Sequence, residues 1–375
     1  MKKNTKLVVL GSRTSLREGA ISSQDLGLAP GGKVTVRTLH GGREAGVVDI
    51  LVSAGDLSLS ILPTRGMGIW WAKYKGKSLF WKSPVREAVH PAYVHLERNG
   101  GLGWLDGFCE GLVRCGLGWH GAPGEDEIID NFGNVTRVRL PLHGQIANIP
   151  ASEVEIEGCR RAGKSFIVVR GVVREEGVFL DKYELATETL IDLEGAAIRI
   201  HDEVTNTSRE RTSPLEMLYH INFGPPALAS GSRMVFSGSA SPRDARAAEG
   251  IASQPLFAGK TRGFTEQVYW IDLDAGTRGD TGTMLVNAKG DFAVYELHDK
   301  KQLKCFAHWK QTGADEYATG FEPGTSLPNN RGVERKAGRL EFLAPGETRA
   351  FDLVIGALDS PRAIRAMEKT LKPRK

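Results

Sequence analysis

The sequence has few cysteines, and none of them is placed to form a known kind of site. The 375 residues include Cys109, Cys115, Cys159 and Cys305, with no CxxC pair among them. This spacing fits neither a zinc site nor a small disulfide-stabilised scaffold. We interpret all four as free thiols of a protein that folds in a reducing cytosol.

Long apolar runs and a strong excess of charge are also missing. The basic start of the chain has an apolar run at residues 7–10 only, whereas a secretory signal needs roughly 7–15 apolar residues. No stretch approaches the ~20 apolar residues of a membrane helix. The formal net charge of +4 is too small for this length to indicate nucleic-acid binding. We therefore expect a cytoplasmic protein without nucleic-acid or membrane partners.

Several catalytic and nucleotide-binding motifs are absent as well. No GxxxxGK[ST] or HExxH occurs, and residues 236–240 read FSGSA where a serine elbow would need GxSxG. The glycine clusters do not follow a strand and open a helix, as GxGxxG requires. Nothing in the sequence indicates a nucleotide ligand.

Glycine and short apolar segments are abundant. The chain has 45 Gly and 17 Pro, which favours many turns joining short strands over a helical bundle. The segments VVDILVS (47–53), LSLSILP (57–63) and MGIWWAKY (67–74) follow one another at short intervals. This spacing predicts antiparallel strands.

The second half of the chain has the same character. In AAIRIHDEVTN (196–206), apolar and polar residues alternate with the two-residue period of a half-buried strand. We predict about fifteen strands and one clear helix near the C-terminus, capped by Asp359 or Ser360. With no internal repeat of the kind a propeller needs, the fold class is all-β, a single large sandwich.

We divide the chain into three parts on this basis. Residues 1–45 are mixed in composition and are predicted to be an N-terminal extension packed on the main domain. Residues 46–358 form the β-sandwich domain, and residues 359–375 the C-terminal helix. Within the domain, residues 98–135 are rich in glycine and aromatic residues, and a loop of this length is more often functional than idle.

Four short segments combine ionisable side chains with Gly or Pro. They contain His143 before Gly144, His220 two residues before Asn222, Glu322 before Pro323-Gly324, and Arg65 between Pro63 and Gly66. A histidine within an apolar strand must be hydrogen-bonded or functional. A carboxylate at the end of an apolar strand can be desolvated, which raises its pKa and makes it a usable base near neutral pH.

Each segment also fits an ordinary structural role. His143 and Arg65 fit solvated loops, His220 a hydrogen-bonded core position, and Glu322 a surface turn. The seven tryptophans fit either core packing or a sugar site, since aromatic faces stack on the C–H faces of sugar rings. Two histidines and a glutamate could also bind a metal, if the fold brought them together.

Six segments together resemble the galactose mutarotase-like superfamily, in the divergent branch of aldose 1-epimerase family proteins. They occur in the expected order over roughly residues 45–357 and read LPTRGMGI (62–69), GLGWLDGFCEGLVRCGLG (101–118), PLHGQIANIPA (141–151), EVTNTS (203–208), MLYHINFGPP (217–226) and GFEPGT (320–325).

The resemblance implies a β-supersandwich with a sugar-binding face and a function as a cofactor-free isomerase of carbohydrate metabolism. By position, His143 resembles the substrate-binding histidine, His220 the general acid and Glu322 the general base. Arg65 and Asn222 resemble substrate-contacting positions. The implied reaction opens the hemiacetal ring, lets the aldehyde rotate and recloses it, with no metal or other cofactor.

The sequence departs from the classical mutarotases at one point. Their Asp-His pair, which holds sugar hydroxyls, has no match here, and GFTEQVYW (263–270) offers Glu266 or Tyr269 as substitutes. The leading hypothesis is an enzyme that interconverts the anomers of a small sugar. The alternatives are a carbohydrate-binding protein without turnover, and another sugar isomerase, hydrolase or lyase, with or without a metal, in the same groove.

The charge of the sugar is a separate question. Arg65, Arg114 and Arg331 would favour an acidic or phosphorylated sugar if they faced the site, since arginine prefers anionic oxygens. The sequence leaves this point and the oligomeric state open.

Overall fold

Alternation of apolar and polar residues determines most strands of this chain. The computed structural model describes residues 6–11 and 15–372. In the strand Ala197–Asn206, Ile198, Ile200 and Val204 are buried while Arg199 and Glu203 are exposed. The two-residue period predicted for this segment is therefore confirmed.

The described residues form 24 strands and four short helices. The strands of the first half are β1 Lys6–Leu10, β2 Gly19–Ser22, β3 Gly32–Thr38, β4 Val48–Ala54, β5 Leu57–Leu62, β6 Gly68–Tyr74, β7 Lys77–Ser78, β8 Leu112–Leu117, β9 Gly124–Ile129, β10 Val135–Leu140, β11 Glu153–Arg161 and β12 Lys164–Glu176. Those of the second half are β13 Lys182–Asp192, β14 Ala197–Asn206, β15 Ser213–Phe223, β16 Arg233–Val235, β17 Gly238–Pro242, β18 Gln267–Leu273, β19 Asp280–Val286, β20 Ala293–Asp299, β21 Cys305–Thr312, β22 Tyr317–Gly324, β23 Glu341–Leu343 and β24 Thr348–Leu358.

The helices are few and short. They are α1 Arg98–Gly101, α2 Ala245–Glu249, α3 Arg331–Lys336 and α4 Pro361–Thr370, together with 3-10 turns at Gly42–Glu44, Pro63–Arg65, Pro91–Tyr93, Gly103–Gly107, Ile146–Asn148 and Ile251–Ser253. Ser360 caps α4 by accepting a hydrogen bond from the Ala363 amide at 3.3 Å, while Asp359 pairs with Lys75. None of the described helices has the length and apolar character of a membrane-spanning segment.

Two large antiparallel sheets contain nearly all of the described strands. The smaller has nine strands in the order β1-β11-β12-β13-β14-β24-β20-β19-β16. The larger has thirteen, with the path β17-β18-β21-β22-β15-β8-β6-β5-β4-β3-β2 and the short strands β7 and β23 at its side. The main hydrophobic core draws side chains from both sheets, including Ile61 and Tyr219 from the larger and Val169 and Leu353 from the smaller. The predicted all-β sandwich is confirmed.

Alternation along β15 separates the core from the outer face of the larger sheet. Tyr219, Ile221 and Phe223 belong to the main core, whereas Leu218 belongs to a second cluster with Trp104 and Phe108. His220 and Asn222 have the same parity as Leu218 and therefore lie on the outer face. This face is covered by chain segments, so every residue of β15 is buried.

The predicted number of about fifteen strands was too low. The missed strands include β8 and β9, inside the segment that the sequence predicts to be a glycine-rich loop. All six residues of β8 are buried, so the strand has no solvent-exposed face and its sequence shows no regular alternation. The helix α3 was also missed, since six residues are too few for a periodic pattern.

The first 45 residues contribute strands to both sheets. β1 pairs with β11, and β3 pairs with β4 along its whole length. The predicted boundary at residue 45 thus lies in the connection between two paired strands. Residues 1–5 and 12–14 of the predicted extension, and 373–375 of the predicted helical part, lie outside the described residues.

A buried ionic network joins the two sheets. Arg114 of β8 pairs with Asp202 of β14, and its guanidinium also donates to the Met67 carbonyl at 2.8 Å and the Thr187 hydroxyl at 2.9 Å. The Tyr219 hydroxyl donates to Asp202 at 2.7 Å. Because both charges are fully buried, each depends on the other for its solvation.

Replacement of Arg114 tests this network. We expect Arg114→Met to lower the free energy of unfolding by about 3–5 kcal/mol, because it leaves the Asp202 carboxylate buried without its cation. Urea denaturation measures the loss. The matched control is Arg161→Met, since Arg161 is half-exposed in its pair with Glu188 and should cost about 0–1 kcal/mol. Equal losses for the two variants would contradict this role of Arg114.

Candidate active site

The pairing of β15 with β22 brings His220 next to Glu322. Ile221 lies opposite Phe321 and Asn222 opposite Gly320, so His220 and Glu322 lie opposite each other on the outer face. The imidazole Nε2 is 3.2 Å from the carboxyl Oε1. The residues are 5% and 3% exposed. The geometry is not aligned for a hydrogen bond, and this Oε1 and His220 Nδ1 have no aligned partner among the described residues.

Burial determines the protonation of this pair. It holds the pKa of His220 well below its usual range, with a further lowering by His143 and an opposing effect of Asn222. It raises the pKa of Glu322 to about 8, with a smaller contribution from the Glu266 carboxylate. Near pH 7 the imidazole is therefore neutral and the carboxyl protonated. The pair therefore holds one titratable proton, which burial places on the carboxyl.

His143 lies on the other side of His220. The ring centroids of the two histidines are 5.4 Å apart. His143 Nδ1 is 2.7 Å from the His120 carbonyl oxygen, which can only accept, so Nδ1 carries the proton and Nε2 is free to accept one. Burial lowers the pKa of His143 to about 4, which keeps the ring neutral.

The backbone at His143 is unusual. Its φ is +59°, in the left-handed region that few non-glycine residues adopt. The next residue, Gly144, has φ +72°, and a Cβ there would lie 2.2 Å from the Gly116 carbonyl oxygen. The backbone turn that presents the imidazole therefore requires a residue without a Cβ at position 144.

Aromatic rings surround the histidines. Phe108 lies 5.1 Å from the His220 ring, Trp309 lies 5.7 Å from it, and Trp104 lies 4.6 Å from the His143 ring, all between centroids. Trp104 and Phe108 belong to the glycine-rich segment 98–135. That segment therefore covers the His220–Glu322 pair with apolar surface.

Glu266 is at the edge of the same site. Its carboxylate accepts a hydrogen bond from Trp309 Nε1 at 2.8 Å and pairs with Arg243 at 3.1 Å. The side chain is 45% exposed, unlike the buried pair below it. The structure therefore brings Glu266 together with His143, His220 and Glu322.

Asn222 lies below His220 on the same strand face. Its amide nitrogen donates to the carbonyls of Glu110, at 3.0 Å, and His220, at 3.3 Å. Both contacts are within the protein, and the side chain is fully buried. These contacts orient the amide next to the imidazole and leave its nitrogen already bonded.

Arg65 does not offer its guanidinium to a ligand, contrary to the predicted substrate contact. It forms a buried ion pair with Glu110 and donates to the carbonyls of Val89 at 2.8 Å and Gly107 at 2.9 Å. With 1% of the residue exposed, these contacts occupy it. Arg65 instead anchors the segment that carries Trp104 and Phe108.

Tyr269 also lies away from the site, which corrects the prediction of a substrate contact. It is opposite His308 in the pairing of β18 with β21, and the two rings stack 5.8 Å apart. His308 has the opposite parity to Trp309, so Tyr269 points between the sheets. Its hydroxyl donates to Gln267 at 3.0 Å. Of the two residues, it is Glu266 that lies beside the His220–Glu322 pair.

The arginines that would favour an anionic sugar are all occupied elsewhere. Arg65 pairs with Glu110, Arg114 with Asp202 and Arg331 with Asp126, and all six side chains are buried. None of the three supplies a cation to the His220–Glu322 pair. Sequence alone could not show this, because it gives the residue type but not the partner.

Two residues next to the site were missed, His120 and Glu216. Glu216 has the parity of Leu218 and His220 on β15, so alternation on that strand could have found it. His120 lies in the glycine-rich segment, which the sequence identifies as a whole without indicating which residue matters. Across residues 6–11 and 15–372, no cluster of three or more His, Cys, Asp or Glu side chains is placed to hold a metal ion.

An open surface groove of about 600 Å³ lies away from the His220–Glu322 pair. It runs over the outside of the nine-stranded sheet and is lined by residues such as Arg170, Glu188 and His201. Its charged groups pair with one another, as Arg170 does with Glu188. We place the candidate site at His220 and Glu322 instead, because titratable groups are buried there without aligned partners.

Comparison with known proteins adds family information to this geometry. Residues 44–357 match the family model described as "Domain of unknown function (DUF4432)". No curated protein matches the chain. The structure is similar to a crystal structure of a "putative aldose 1-epimerase" from Klebsiella pneumoniae subsp. pneumoniae, with 31% identity and a TM-score of 0.91, covering 98% of this chain and 95% of that one.

More distant structures show the same fold. A galactose mutarotase-like protein from Clostridium acetobutylicum is 17% identical, with a TM-score of 0.57 and coverage of 87% of this chain and 98% of that one. A galactose 1-epimerase from Lactobacillus acidophilus NCFM is 11% identical, with a TM-score of 0.54 and coverage of 87% and 99%. The predicted galactose mutarotase-like sandwich is confirmed.

The His143 turn can be tested by stability. We expect Gly144→Ala to cost about 3 kcal/mol or more, because the methyl group combines a left-handed backbone with contact against the Gly116 carbonyl. The control is Gly76→Ala, with φ +75° and no atom within 4 Å of its Cβ, which should cost about 1–2 kcal/mol. Urea denaturation compares the two variants. Similar losses of unfolding free energy would show that the structure around Gly144 can shift to accept a methyl group, contrary to this prediction.

Protonation of Glu322 in the folded protein should be visible in the pH dependence of stability. Between about pH 4.5 and 8 the folded protein holds a proton on Glu322 that the unfolded chain has lost, so this group makes folding less favourable as the pH rises. Glu322→Gln removes that dependence. We expect its unfolding free energy, relative to wild type, to increase with pH over this window by up to about 1.4 kcal/mol per pH unit.

Urea denaturation from pH 5 to 8 measures this difference. The control is Glu188→Gln, since Arg170 and Arg161 help to lower the pKa of Glu188 against the effect of burial. That carboxyl is ionised in both states above about pH 4.5, so its difference from wild type should be flat. A flat difference for Glu322→Gln would mean that Glu322 is ionised in the folded protein.

Proposed function

The chain belongs to the DUF4432 family and has the galactose mutarotase-like fold, and on this premise we propose that it is an aldose 1-epimerase-like isomerase. The proposed substrate is a small sugar in its cyclic form, and the reaction exchanges its α and β anomers. The observation that carries the proposal is the buried His220–Glu322 pair, with 3.2 Å between its facing atoms.

One shared proton is what this reaction needs. Ring opening removes the proton of the anomeric hydroxyl and delivers a proton to the ring oxygen. With the proton on His220, Glu322 is the base and His220 the acid. After opening, the carboxyl is protonated and the imidazole neutral, which is the arrangement that burial favours in the free protein. The two groups then exchange roles and reclose the ring on either face of the aldehyde.

The surrounding residues support binding of an uncharged polyhydroxyl ligand. The neutral His143 can accept a hydroxyl hydrogen at Nε2, and the Glu266 carboxylate can accept others at the edge of the site. Trp104, Phe108 and Trp309 present apolar surface to the C–H faces of a sugar ring. In the proposed mechanism Asn222, which lies next to His220 on the same strand face, orients the His220 ring.

Anomer exchange is measured directly by NMR or polarimetry. We expect wild-type protein to accelerate the approach to equilibrium of at least one freshly dissolved aldose. Glu322→Gln and His220→Gln should lower kcat by about 10²–10⁴-fold, because each removes one of the two proton-transfer groups. The control is Glu188→Gln on the nine-stranded sheet, which should retain wild-type activity.

The opposite results are also informative. Wild-type rates no faster than buffer across a broad panel of aldoses would reject the enzyme. Calorimetry with the same sugars then separates the alternatives. Binding without turnover would identify a carbohydrate-binding protein that has kept the fold and its apolar walls, and no binding would reject a sugar ligand.

A further inference from the structure

A second group of buried polar side chains lies behind His143. Glu216 is on β15, Ser326 follows β22, and His120 is in the glycine-rich segment, and all three are at most 1% exposed. The Ser326 hydroxyl is 2.7 Å from Glu216 Oε1 and 3.0 Å from His120 Nε2. The His120 main-chain amide is 3.3 Å from Glu216 Oε2.

With Glu216 ionised, the donors and acceptors fix the direction of these hydrogen bonds. The single hydroxyl proton of Ser326 goes to Glu216, as the contact at 2.7 Å indicates. His120 Nε2 then donates to the Ser326 oxygen, which leaves His120 Nδ1 without a proton. Glu216 thus holds His120 twice, through the main-chain amide and through the ring.

His120 passes this constraint to His143. The His120 carbonyl oxygen accepts from His143 Nδ1 at 2.7 Å, and this bond sets which ring nitrogen of His143 carries the proton. The main chain connects the two segments as well, since the His143 amide donates to the Gly121 carbonyl at 3.1 Å. A shift of His120 therefore moves the acceptor on which the His143 tautomer depends.

We propose that Glu216 is a positioning residue that, through Ser326 and His120, keeps His143 in the Nδ1–H tautomer with Nε2 free to accept a sugar hydroxyl. The proposal rests on the function proposed above for its purpose, but the tautomer itself can be observed without any reaction.

The cost of burying Glu216 supports a specific role. No ion pair to Glu216 occurs within the described part of the chain. Burial raises its pKa to about 7, against the lowering effects of the hydrogen bonds from Ser326 and His120 and of the more distant Arg331 charge. A carboxyl removed from water without an ion-pair partner is unfavourable for stability. An apolar residue would suit this fully buried strand position better, unless the hydrogen bonds to Ser326 and His120 are needed.

Glu175, on β12, provides a matched control that contacts the same segment. Burial also raises its pKa to about 7, against the lowering effects of hydrogen bonds from the Gln145 side chain and from the Leu117 amide, which lies 3.3 Å away. It thus resembles Glu216 in charge, burial and contact with residues 116–121. Across residues 6–11 and 15–372 it forms no hydrogen bond or ion pair with His120 or Ser326.

The experiment is NMR on protein with ¹⁵N-labelled histidines, of which the chain has nine. His143→Asn assigns the His143 signals. In wild type we expect the nitrogen shifts of an Nδ1–H tautomer. Glu216→Gln should shift them toward Nε2–H or an exchanging mixture, whereas Glu175→Gln should leave them unchanged. His143 signals unaltered by Glu216→Gln would overturn the proposal, and so would an equal change in both variants.

Two additions cover the remaining outcomes. If Glu216→Gln does not fold, Ser326→Ala tests the same connection by deleting one hydroxyl, with the same expectation for His143. If wild type exchanges anomers, Glu216→Gln should raise KM by about 3- to 10-fold with a smaller effect on kcat, since one substrate hydrogen bond is weakened. An unchanged KM despite an altered tautomer would reject the purpose assigned to Glu216.

The two proposals fail in different ways. Absence of anomer exchange in wild type would count against the proposed function and leave the tautomer result standing. An Nδ1–H tautomer that persists in both Glu216→Gln and Ser326→Ala would reject the positioning role, whatever the activity.

Discussion

The register between β15 and β22 places an imidazole beside a carboxyl in a region closed to water, and the rest of the site is arranged around that pair. A slip of one residue would turn His220 toward the core between the sheets and Tyr219 toward the site. The register is held because the opposite face of β15 supplies Tyr219, Ile221 and Phe223 to the main core. Stability of the sandwich and geometry of the site therefore depend on the same alternation.

Desolvation is the second determinant of the site. In water the carboxyl would be ionised at neutral pH, but burial makes its protonated form and a neutral imidazole the favoured state. The pair is thus kept at one proton mainly by its burial. Glu266 and Arg243, at the edge, act on Glu322 in opposite directions and partly cancel.

The sequence predicted those parts of the molecule whose structure follows from a local residue pattern. Strands with one solvated face, such as β14, could be predicted from alternation, and His143, His220 and Glu322 stood out because each is a polar residue beside Gly, Pro or apolar neighbours. Strand β8 has no solvent-exposed face and shows no such pattern. The predicted contacts of Arg65 and Tyr269 were wrong because each side chain interacts with a residue distant in the sequence. Glu110, which pairs with Arg65, is 45 positions away in the chain. His308 faces Tyr269 through a strand pairing that no local sequence pattern shows.

The anchoring of the glycine-rich segment by Arg65 has a chemical consequence for the proposed reaction. An opened sugar exposes a free aldehyde, an electrophile that water hydrates and that amines trap as imines. Trp104 and Phe108, held over the histidines by the segment that Arg65 fixes, would keep solvent from that carbon. The intermediate would then reclose before it could be diverted, so the same aromatic cover would also limit the release of a reactive aldehyde.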